Sequence, residues 1–225
     1  MSSLRIYRDL VQGTDEWLEA RRGIVTASVV GQLLTAGWKV AANDTSRALT
    51  ATLVAERIAG FVEPVHVTDD MWRGTWDEPL ARSLYAVHHA PVEQVGFMVR
   101  DLAGGPLGFS PDGLVGDDGA IECKSRKPRL HLRTILDDQV PAMYLPQIQA
   151  GLLVSGRQWC DFVSYSGGMP LWVKRVHADP AMHQVIEEAV RVFEDAAAQM
   201  TATYHAAVVG LPMTERVDHD MEMTL

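Results

Sequence analysis

The sequence has few cysteines and no long apolar run. It contains only two cysteines, Cys123 and Cys160, too few for a disulfide framework or for a metal site built from cysteines. No apolar run approaches the roughly 18–20 residues that cross a bilayer, and the first residues lack the apolar segment of a signal peptide. These absences favour a protein of the reducing cytoplasm that has no membrane partner.

Basic residues are also scarce. The chain has 20 Lys and Arg against 29 Asp and Glu, a formal net charge of −9. Nucleic-acid binding requires clustered Lys and Arg, so this balance alone favours an acidic enzyme with a small substrate. The 47% of hydrophobic and 22% of charged residues indicate a globular chain, and 225 residues suit one sizeable domain or two small ones.

The pattern of apolar and turn residues predicts an α/β fold with a central mixed β-sheet flanked by helices. Capping residues and apolar spacing predict helices over residues 14–23, 26–37, 44–60, 74–90, 129–138, 142–156 and 180–207. Extended segments are predicted over residues 92–101, 107–110, 113–116, 120–125, 159–166 and 171–178. We expect one domain over residues 1–209, followed by an acidic tail over 210–225 that is solvated rather than docked.

The segment GFSPDGLVGDDGAIECKS, residues 108–125, is the most informative part of the chain. Asp112 lies at a turn, and Glu122 and Lys124 follow ten and twelve residues later on a predicted strand. Side chains alternate between the two faces of a strand, so Glu122 and Lys124 share one face while Ile121 and Cys123 share the other. We expect the charged pair to face a cleft beside Asp112 and the apolar pair to face the core.

Two neighbouring carboxylates and a lysine suit metal-assisted hydrolysis of a phosphodiester. Asp112 and Glu122 offer the oxygen ligands that Mg²⁺ or Mn²⁺ prefers, and the backbone carbonyl of Cys123 lies between the charged side chains. Such a metal polarises a phosphoryl oxygen and activates water, and Lys124 can orient that water. A solvated hairpin with an ordinary Glu/Lys pair is the alternative, because Glu-x-Lys alone occurs by chance in most proteins.

The flanking segments remove most of that ambiguity, because together they resemble a known nuclease family. The Pro-Asp turn, the ten-residue gap and the Glu-x-Lys strand resemble the PD-(D/E)xK nuclease motif. Four motifs over residues 10–178 resemble the phage lambda exonuclease family, also called YqaJ-type viral recombinases, in the family's order: ARRGIVTAS (20–28), GTWDEPLARSLY (74–85), LGFSPDGLV with AIECKS (107–125), and YLPQIQAGLLVSGRQWCDFVSY (144–165). The resemblance implies a restriction-endonuclease-like core.

The resemblance also implies roles for individual residues in catalysis. Asp112 and Glu122 would be metal ligands, with Glu78 as an outer or second-metal carboxylate. Lys124 would be the catalytic lysine, and Gln147 would line the cleft near the water or the scissile phosphate. Without the family, Glu78 is explained equally well as an acid favoured in the first turn of a helix.

A second group of residues would bind DNA. Arg21 and Ser28 match the positions that hold the 5′-phosphate of the DNA end, and Ser110 would add a contact or simply stabilise the Pro-Asp turn. The run KSRKPRLHLR, residues 124–133, contains no acid, and we expect its Arg126 and Lys127 to contact phosphates.

Three tryptophans, Trp38, Trp72 and Trp76, are candidates for stacking on bases or wedging a duplex end. Burial in the core is the favoured expectation for each of them.

The leading hypothesis is a Mg²⁺-dependent exonuclease that degrades one strand of duplex DNA from its 5′ end. The resemblance further implies a homotrimer, a single-strand annealing protein as partner, and a phage or prophage origin in a bacterial host. Two alternatives remain open: an endonuclease with the same core that cuts other DNA structures, and a catalytically silent DNA-binding module. Two cysteines exclude the iron–sulfur subgroup of these nucleases.

Overall fold

The protein is built on two four-stranded sheets. The computed structural model describes residues 3–63 and 67–216. The first sheet has the order β1-β3-β4-β2 and the second the order β5-β6-β7-β8. The strands are β1 (Leu4–Tyr7), β2 (Val25–Thr26), β3 (Phe97–Leu102), β4 (Gly105–Phe109), β5 (Gly113–Val115), β6 (Gly119–Ser125), β7 (Trp159–Tyr165) and β8 (Trp172–His177).

In the described residues, six α-helices accompany the sheets, and their ends follow local sequence signals. They are α1 (Asp15–Arg21), α2 (Asp44–Ala59), α3 (Asp69–His88), α4 (Pro128–Asp137), α5 (Leu145–Ser155) and α6 (Pro180–Ala207). The Thr14 hydroxyl accepts a hydrogen bond from the Trp17 N–H and caps α1. Asn43 forms a capping box at the start of α2, which ends at Gly60 in the left-handed conformation with φ 65°.

One hydrophobic core joins the two sheets. It contains Leu107 and Phe109 of β4, Phe162 of β7, and Ile148 of α5, and helices α2 and α6 also pack into it. A smaller apolar cluster lies on the other face of the second sheet, where Tyr85 of α3 packs against the Ile121 side of β6. The second sheet is therefore covered on both faces, as buried parallel pairs require.

Strand β6 lies inside the second sheet, with β7 on one side and β5 on the other. Strands β6 and β7 are parallel, and Glu122 pairs with Phe162 in their register. A parallel pair requires a crossover, which here contains α4 and α5. Strand β5 pairs antiparallel with β6 on the opposite side, so the turn before β5 lies against the middle of β6.

The α/β fold is confirmed, and four details of the prediction need correction. Residues 26–37 do not form an α-helix, because Val25 and Thr26 pair with β4 and only the 3₁₀ turn Val30–Leu33 follows. The expected helix over 74–90 begins earlier, at Asp69, because Thr68 provides its N-cap. The expected single sheet is divided into two, and the short strand β1 was missed.

The end of the chain is described only in part. Helix α6 ends at Ala207, and the Arg216 guanidinium lies 3.7 Å from the centre of the Phe61 ring, a cation–π contact. The rest of the predicted acidic tail, residues 217–225, lies outside the described residues. Within residues 3–63 and 67–216, no helix is long and apolar enough to cross a membrane.

Candidate active site

The hairpin of β5 and β6 brings Asp112 to the middle of β6. Its Oδ2 accepts a hydrogen bond of 2.6 Å from the backbone N–H of Cys123. A Cβ at the neighbouring Gly113 would lie 2.1 Å from Cγ1 of Val92 and 3.1 Å from Cγ1 of Ile121, so glycine lets the start of β5 pack against these side chains. Eleven residues of sequence separation therefore become direct contact between the turn and the strand.

Glu122 and Lys124 form an ion pair on one face of β6. The Lys124 Nζ lies 2.6 Å from Oε1 of Glu122, whose side chain is 1% exposed. Ile121 and Cys123 pack on the opposite face in the smaller apolar cluster. The predicted division of the strand into a charged and an apolar face is confirmed.

Gln147 reaches the same carboxylate from another element. Its Nε2 donates a 2.6 Å hydrogen bond to Oε1 of Glu122, and Gln147 lies in the first turn of α5. Amide and ammonium donors thus converge on one buried oxygen. This satisfies a charge whose burial without partners is costly.

Burial and mutual repulsion shape the electrostatics of this group. Burial raises the pKa of Asp112 well above its ordinary value, and the negative charges of Glu122 and Glu78 raise it further. For Lys124, burial alone would lower the pKa, but Glu122 and Asp112 outweigh burial and raise the pKa above its ordinary value. A strongly perturbed carboxyl beside a charged lysine in a cleft is typical of functional sites.

Arg82 is a member of the site that sequence reasoning missed. Its Nη1 donates to Oε1 of Glu78 at 2.8 Å and to the backbone carbonyl of Asp112 at 2.7 Å. Arg82 lies four residues after Glu78 on α3, a spacing at which opposite charges meet on a helix. That spacing was a usable signal for the pair, whereas the contact with Asp112 depends on the packing of α3.

The chemistry of Asp112 and Glu122 fits a hard divalent cation. Their oxygens and the Cys123 carbonyl are suitable donors, and Mg²⁺ commonly takes only one or two protein carboxylates and completes its shell with water and phosphate. Among the described residues, no group of three or more His, Cys, Asp and Glu side chains is arranged to hold a metal. The Glu78 carboxylate is bonded to Arg82.

Asp112, Cys123 and Lys124 line a cleft of about 850 Å³, while Glu122 is buried and paired with Lys124. Asp112 and Lys124 lie on one side, and Trp17 and Gln12 of the segment around α1 line another part. Helix α3 forms a wall, with Glu78 among the residues that face the cleft. Trp17, which contacts the Arg21 guanidinium, also lines this cleft, so the region around Arg21 adjoins it.

The structure brings together the predicted phosphate-site residues Arg21, Ser28 and Ser110. The Arg21 guanidinium donates to the Ser110 hydroxyl at 3.2 Å and to the Thr26 hydroxyl at 3.4 Å, and the Thr26 and Ser28 hydroxyls lie 3.0 Å apart. The indole N–H of Trp17 also donates to Ser110, at 3.0 Å. Sequence reasoning missed Thr26 and Trp17, since neither residue type marks a phosphate site by itself.

The Arg21 guanidinium lacks a close anionic partner within the described part of the chain. It lies 3.8 Å from the centre of the Trp17 ring, and burial lowers the pKa of Arg21 to about 10, while Glu56 acts in the opposite direction. No carboxylate among residues 3–63 and 67–216 forms a salt bridge with it. Hydroxyl groups and a half-buried cation are a chemically suitable setting for a phosphate.

The basic run differs from expectation at Arg126. This side chain is only 8% exposed, donates to the Tyr144 hydroxyl at 3.0 Å, and lies over the Tyr144 ring. It packs inward because the aromatic ring accepts its guanidinium face, so a direct phosphate contact is not favoured by this geometry. Lys127 is exposed and pairs with Asp70 at 3.1 Å, and Arg129 and Arg133 are also exposed.

The tryptophans divide into two groups. Trp38 is partly buried against the main core, in agreement with the expectation of burial. Trp72 and Trp76 are exposed on α3, so their predicted burial is wrong. The reason is that α3 turns Ala81 and Tyr85 toward the sheet, which leaves the tryptophan positions on another side of the helix.

The family model of the YqaJ-like viral recombinase domain matches residues 16–158, and the chain belongs to that family. The chain is 33% identical to an alkaline exonuclease, LHK-Exo, from Laribacter hongkongensis. The structural match has a TM-score of 0.79 and covers 88% of this chain and 100% of that one. A structure of LHK-Exo in complex with dAMP matches with 32% identity and a TM-score of 0.74, covering 88% and 100% of the two chains.

A more distant match supports the fold alone. A phage-related exonuclease from Haemophilus somnus is 11% identical, with a TM-score of 0.61 over 80% of this chain and 96% of that one. The search of curated proteins finds no match. The family and the PD-(D/E)xK-type fold predicted from the motifs are thus confirmed.

Proposed function

We propose that this chain is a metal-dependent exonuclease that hydrolyses one strand of linear duplex DNA from its 5′ end. The observation that carries the proposal is that Asp112 and Lys124 line one cleft, while Lys124 forms a 2.6 Å ion pair with the buried Glu122. Membership of the YqaJ-like family and the likeness to an alkaline exonuclease support the reaction class. The dAMP complex of that relative adds support, since dAMP is a deoxynucleoside monophosphate, the product class of exonuclease digestion.

The residues of β6 and its surroundings would divide the chemistry among them. Asp112, Glu122 and the Cys123 carbonyl would hold Mg²⁺, for which Mn²⁺ is expected to substitute. When bound, the cation supplies Lewis-acid polarisation of the phosphate and lowers the pKa of water. Lys124 would orient the attacking water and offset negative charge on the phosphate, and Gln147 would keep the Glu122 carboxylate in place.

Glu78 and Arg82 would act on the geometry of the turn that carries Asp112. Arg82 bonds both to Glu78 and to the Asp112 carbonyl, so it fixes α3 against that turn. Glu78 is near enough for its charge to raise the pKa of Asp112. An outer carboxylate role for Glu78 therefore remains part of the proposal.

The preference for a 5′ end is proposed from the group around Arg21. Arg21, Ser28 and Ser110, together with Thr26, would bind the terminal phosphate through a guanidinium and hydroxyl donors. A terminal phosphate held there would set the register of the strand relative to Asp112 and Lys124. The direction of digestion would therefore be set by the phosphate-binding group around Arg21 and not by the carboxylates.

Digestion of linear duplexes labelled at either end tests the proposal. With Mg²⁺ present, a 5′-phosphorylated duplex should release mononucleotides from its 5′ ends, and EDTA should stop the release. Asp112→Asn and Lys124→Ala should lower the rate by about 10²–10⁴-fold, the range for loss of a general acid–base or charge-stabilising group. Lys39→Ala, at an exposed lysine that does not line the cleft, should retain the wild-type rate.

The same assay separates the alternatives. Arg21→Gln should remove the preference for a 5′-phosphate over a 5′-hydroxyl while leaving slow digestion in place. Cutting of closed circular DNA would favour an endonuclease, and DNA binding without any metal-dependent cleavage would favour a silent binding module. Undiminished cleavage by Asp112→Asn or Lys124→Ala would remove the proposed mechanism.

The biological setting is part of the same proposal. Family membership supports action in phage-type recombination, as a homotrimer, together with a single-strand annealing protein, in the cytoplasm of a bacterial host. Light scattering of the purified chain tests the oligomer, and a mass of one or two copies would contradict a trimer.

A further inference from the structure

Two large aromatic side chains are exposed side by side on α3. Trp72 is 58% exposed and Trp76 is 70% exposed, and their ring centroids lie 6.2 Å apart. Tryptophan is highly buried on average in folded proteins, so an adjacent exposed pair is an unusual surface. We call these two residues the tryptophan pair.

The tryptophan pair lies on the helix that forms a wall of the catalytic cleft. Met71, Thr75 and Glu78 of α3 line that cleft, and they lie within one helical turn of the pair. The pair is therefore placed beside the cleft, on the side of α3 that neither the cleft nor the sheet covers. A strand that leaves or enters the cleft over α3 would meet these rings.

Basic side chains lie close to the first turn of α3, which contains Asp69 and Asp70. Asp70, in the first turn of α3, is paired with both Arg73 and Lys127, which offsets its negative charge. Arg129 and Arg133 are exposed on α4, directly after Lys127 in the chain. Aromatic rings next to basic side chains are the composition of surfaces that bind single-stranded nucleic acid by stacking and phosphate attraction.

We propose that the tryptophan pair is a stacking platform for the bases of single-stranded DNA beside the catalytic cleft. This inference rests on the proposed exonuclease function, in which one strand separates from its complement. Every base has a π-face, so the platform would accept all four bases and would favour unpaired over paired DNA.

The same side of α3 continues toward the helix end with the exposed aliphatic residues Leu80, Leu84 and Val87. A protein partner would be expected to cover this aliphatic part as well. Arg73 and Lys127, which both pair with Asp70, instead lie with the tryptophan pair at the N-terminal end of α3, which favours DNA there. The aliphatic residues provide matched controls on the same helix.

Fluorescence anisotropy with labelled oligonucleotides tests the platform, with EDTA present so that no strand is cut. Trp72→Ala/Trp76→Ala should weaken binding of a single-stranded oligo(dT) by about tenfold, because the variant loses the rings on which bases stack. Trp72→Phe/Trp76→Phe should retain most of the affinity, because phenylalanine keeps an aromatic face. Leu80→Ala/Val87→Ala should bind as the wild type does.

The outcomes separate this inference from the alternatives. Unchanged oligo(dT) affinity in the alanine double variant overturns it, as does an equal loss in the phenylalanine variant. A changed molecular mass of the alanine variant in light scattering, with unchanged affinity, assigns the surface to a protein contact and also overturns it. If the wild type binds oligo(dT) through the pair but cuts no DNA, the platform stands and the exonuclease proposal fails.

Discussion

The candidate active site holds charged residues in an arrangement that costs electrostatic free energy. Asp112 and Glu122 are negative groups held close together, and burial together with the resulting repulsion raises the pKa of Asp112. The Cys123 N–H, Lys124 and Gln147 offset that repulsion through short contacts. Such repulsion is common where a fold holds groups ready for a ligand or a reaction.

Arg126 and Lys127 are adjacent basic residues for which we predict opposite phenotypes. Arg126→Ala should lower the free energy of unfolding by about 1–3 kcal/mol, because it removes a buried guanidinium and leaves the Tyr144 hydroxyl without that donor. Lys127→Ala should change stability by less than about 0.5 kcal/mol, since its side chain is largely exposed.

Urea denaturation and salt-dependent DNA binding measure the two effects. Lys127→Ala should weaken DNA binding and reduce the slope of log K against log salt concentration by about one, the change for a single lost phosphate contact. A changed slope for Arg126→Ala, at unchanged stability, would contradict the inward placement of Arg126.

At the scale of elements, two glycines within helices have opposite surroundings. A Cβ at Gly74 of α3 would meet no heavy atom within 4 Å, whereas a Cβ at Gly151 of α5 would lie 2.7 Å from the Phe109 ring. Gly74→Ala should therefore raise the free energy of unfolding by about 0.5–1 kcal/mol through helix propensity. Gly151→Ala should lower it by about 1–3 kcal/mol through overpacking.

Chemical denaturation of the two variants measures this difference. Because Gly74 lines the cleft, the effect of its substitution is measured as stability and not as activity. Equal effects of the two substitutions would contradict the packing of α5 against β4.

The start of α6 contains a histidine that should make stability depend on pH. Burial lowers the pKa of His183 below its ordinary 6.5, although Glu187 and Asp179 act in the opposite direction. Its Nε2 is buried and has no hydrogen-bond partner among the described residues. Because the folded pKa is depressed, stability present above about pH 6.5 is lost as the pH falls through the folded pKa.

His183→Leu should remove that pH dependence. The wild type should lose more stability than this variant between about pH 8 and about pH 5, as measured by urea denaturation. His205→Leu, at an exposed position in the last turn of the same helix, serves as the control. A wild-type and a His183→Leu curve that run parallel across this range would contradict the prediction.

At the scale of the whole molecule, metal binding should stabilise the fold. A cation at Asp112 and Glu122 would relieve their repulsion, and a ligand at a hundredfold excess over its Kd adds about 2.7 kcal/mol. We predict that Mg²⁺ raises the Tm of the wild type by several degrees and that EDTA reverses the rise. Asp112→Asn should melt at the same temperature with and without Mg²⁺, and an equal rise in that variant would place the metal elsewhere.

The net charge of −9 is compatible with a DNA substrate because binding depends on local potential rather than on the total. Some acids lie in the cleft, where a cation would neutralise them. The exposed basic residues that follow β6 in the chain are Lys127, Arg129 and Arg133. Overall acidity would then discourage DNA from binding away from this surface.

Local signals in the sequence predicted much of the fold. Apolar periodicity and capping residues located α2 and α6 well, because helix ends depend on nearby side chains such as Asn43. The failure at residues 26–37 has a nonlocal cause, since Val25 and Thr26 take strand geometry from β4, some eighty residues away in the chain. Tertiary pairing overrides local propensity in such segments.

The sequence by itself determined the family motifs, the helices with strong caps, and the two faces of β6, because these depend on residue type at short spacing. Only the tertiary structure decided that Arg82 supports the Asp112 turn, that Arg126 faces inward and that the tryptophan pair faces outward. The physical reason is that orientation of a side chain depends on which elements pack beside it. Those partners come from distant parts of the chain.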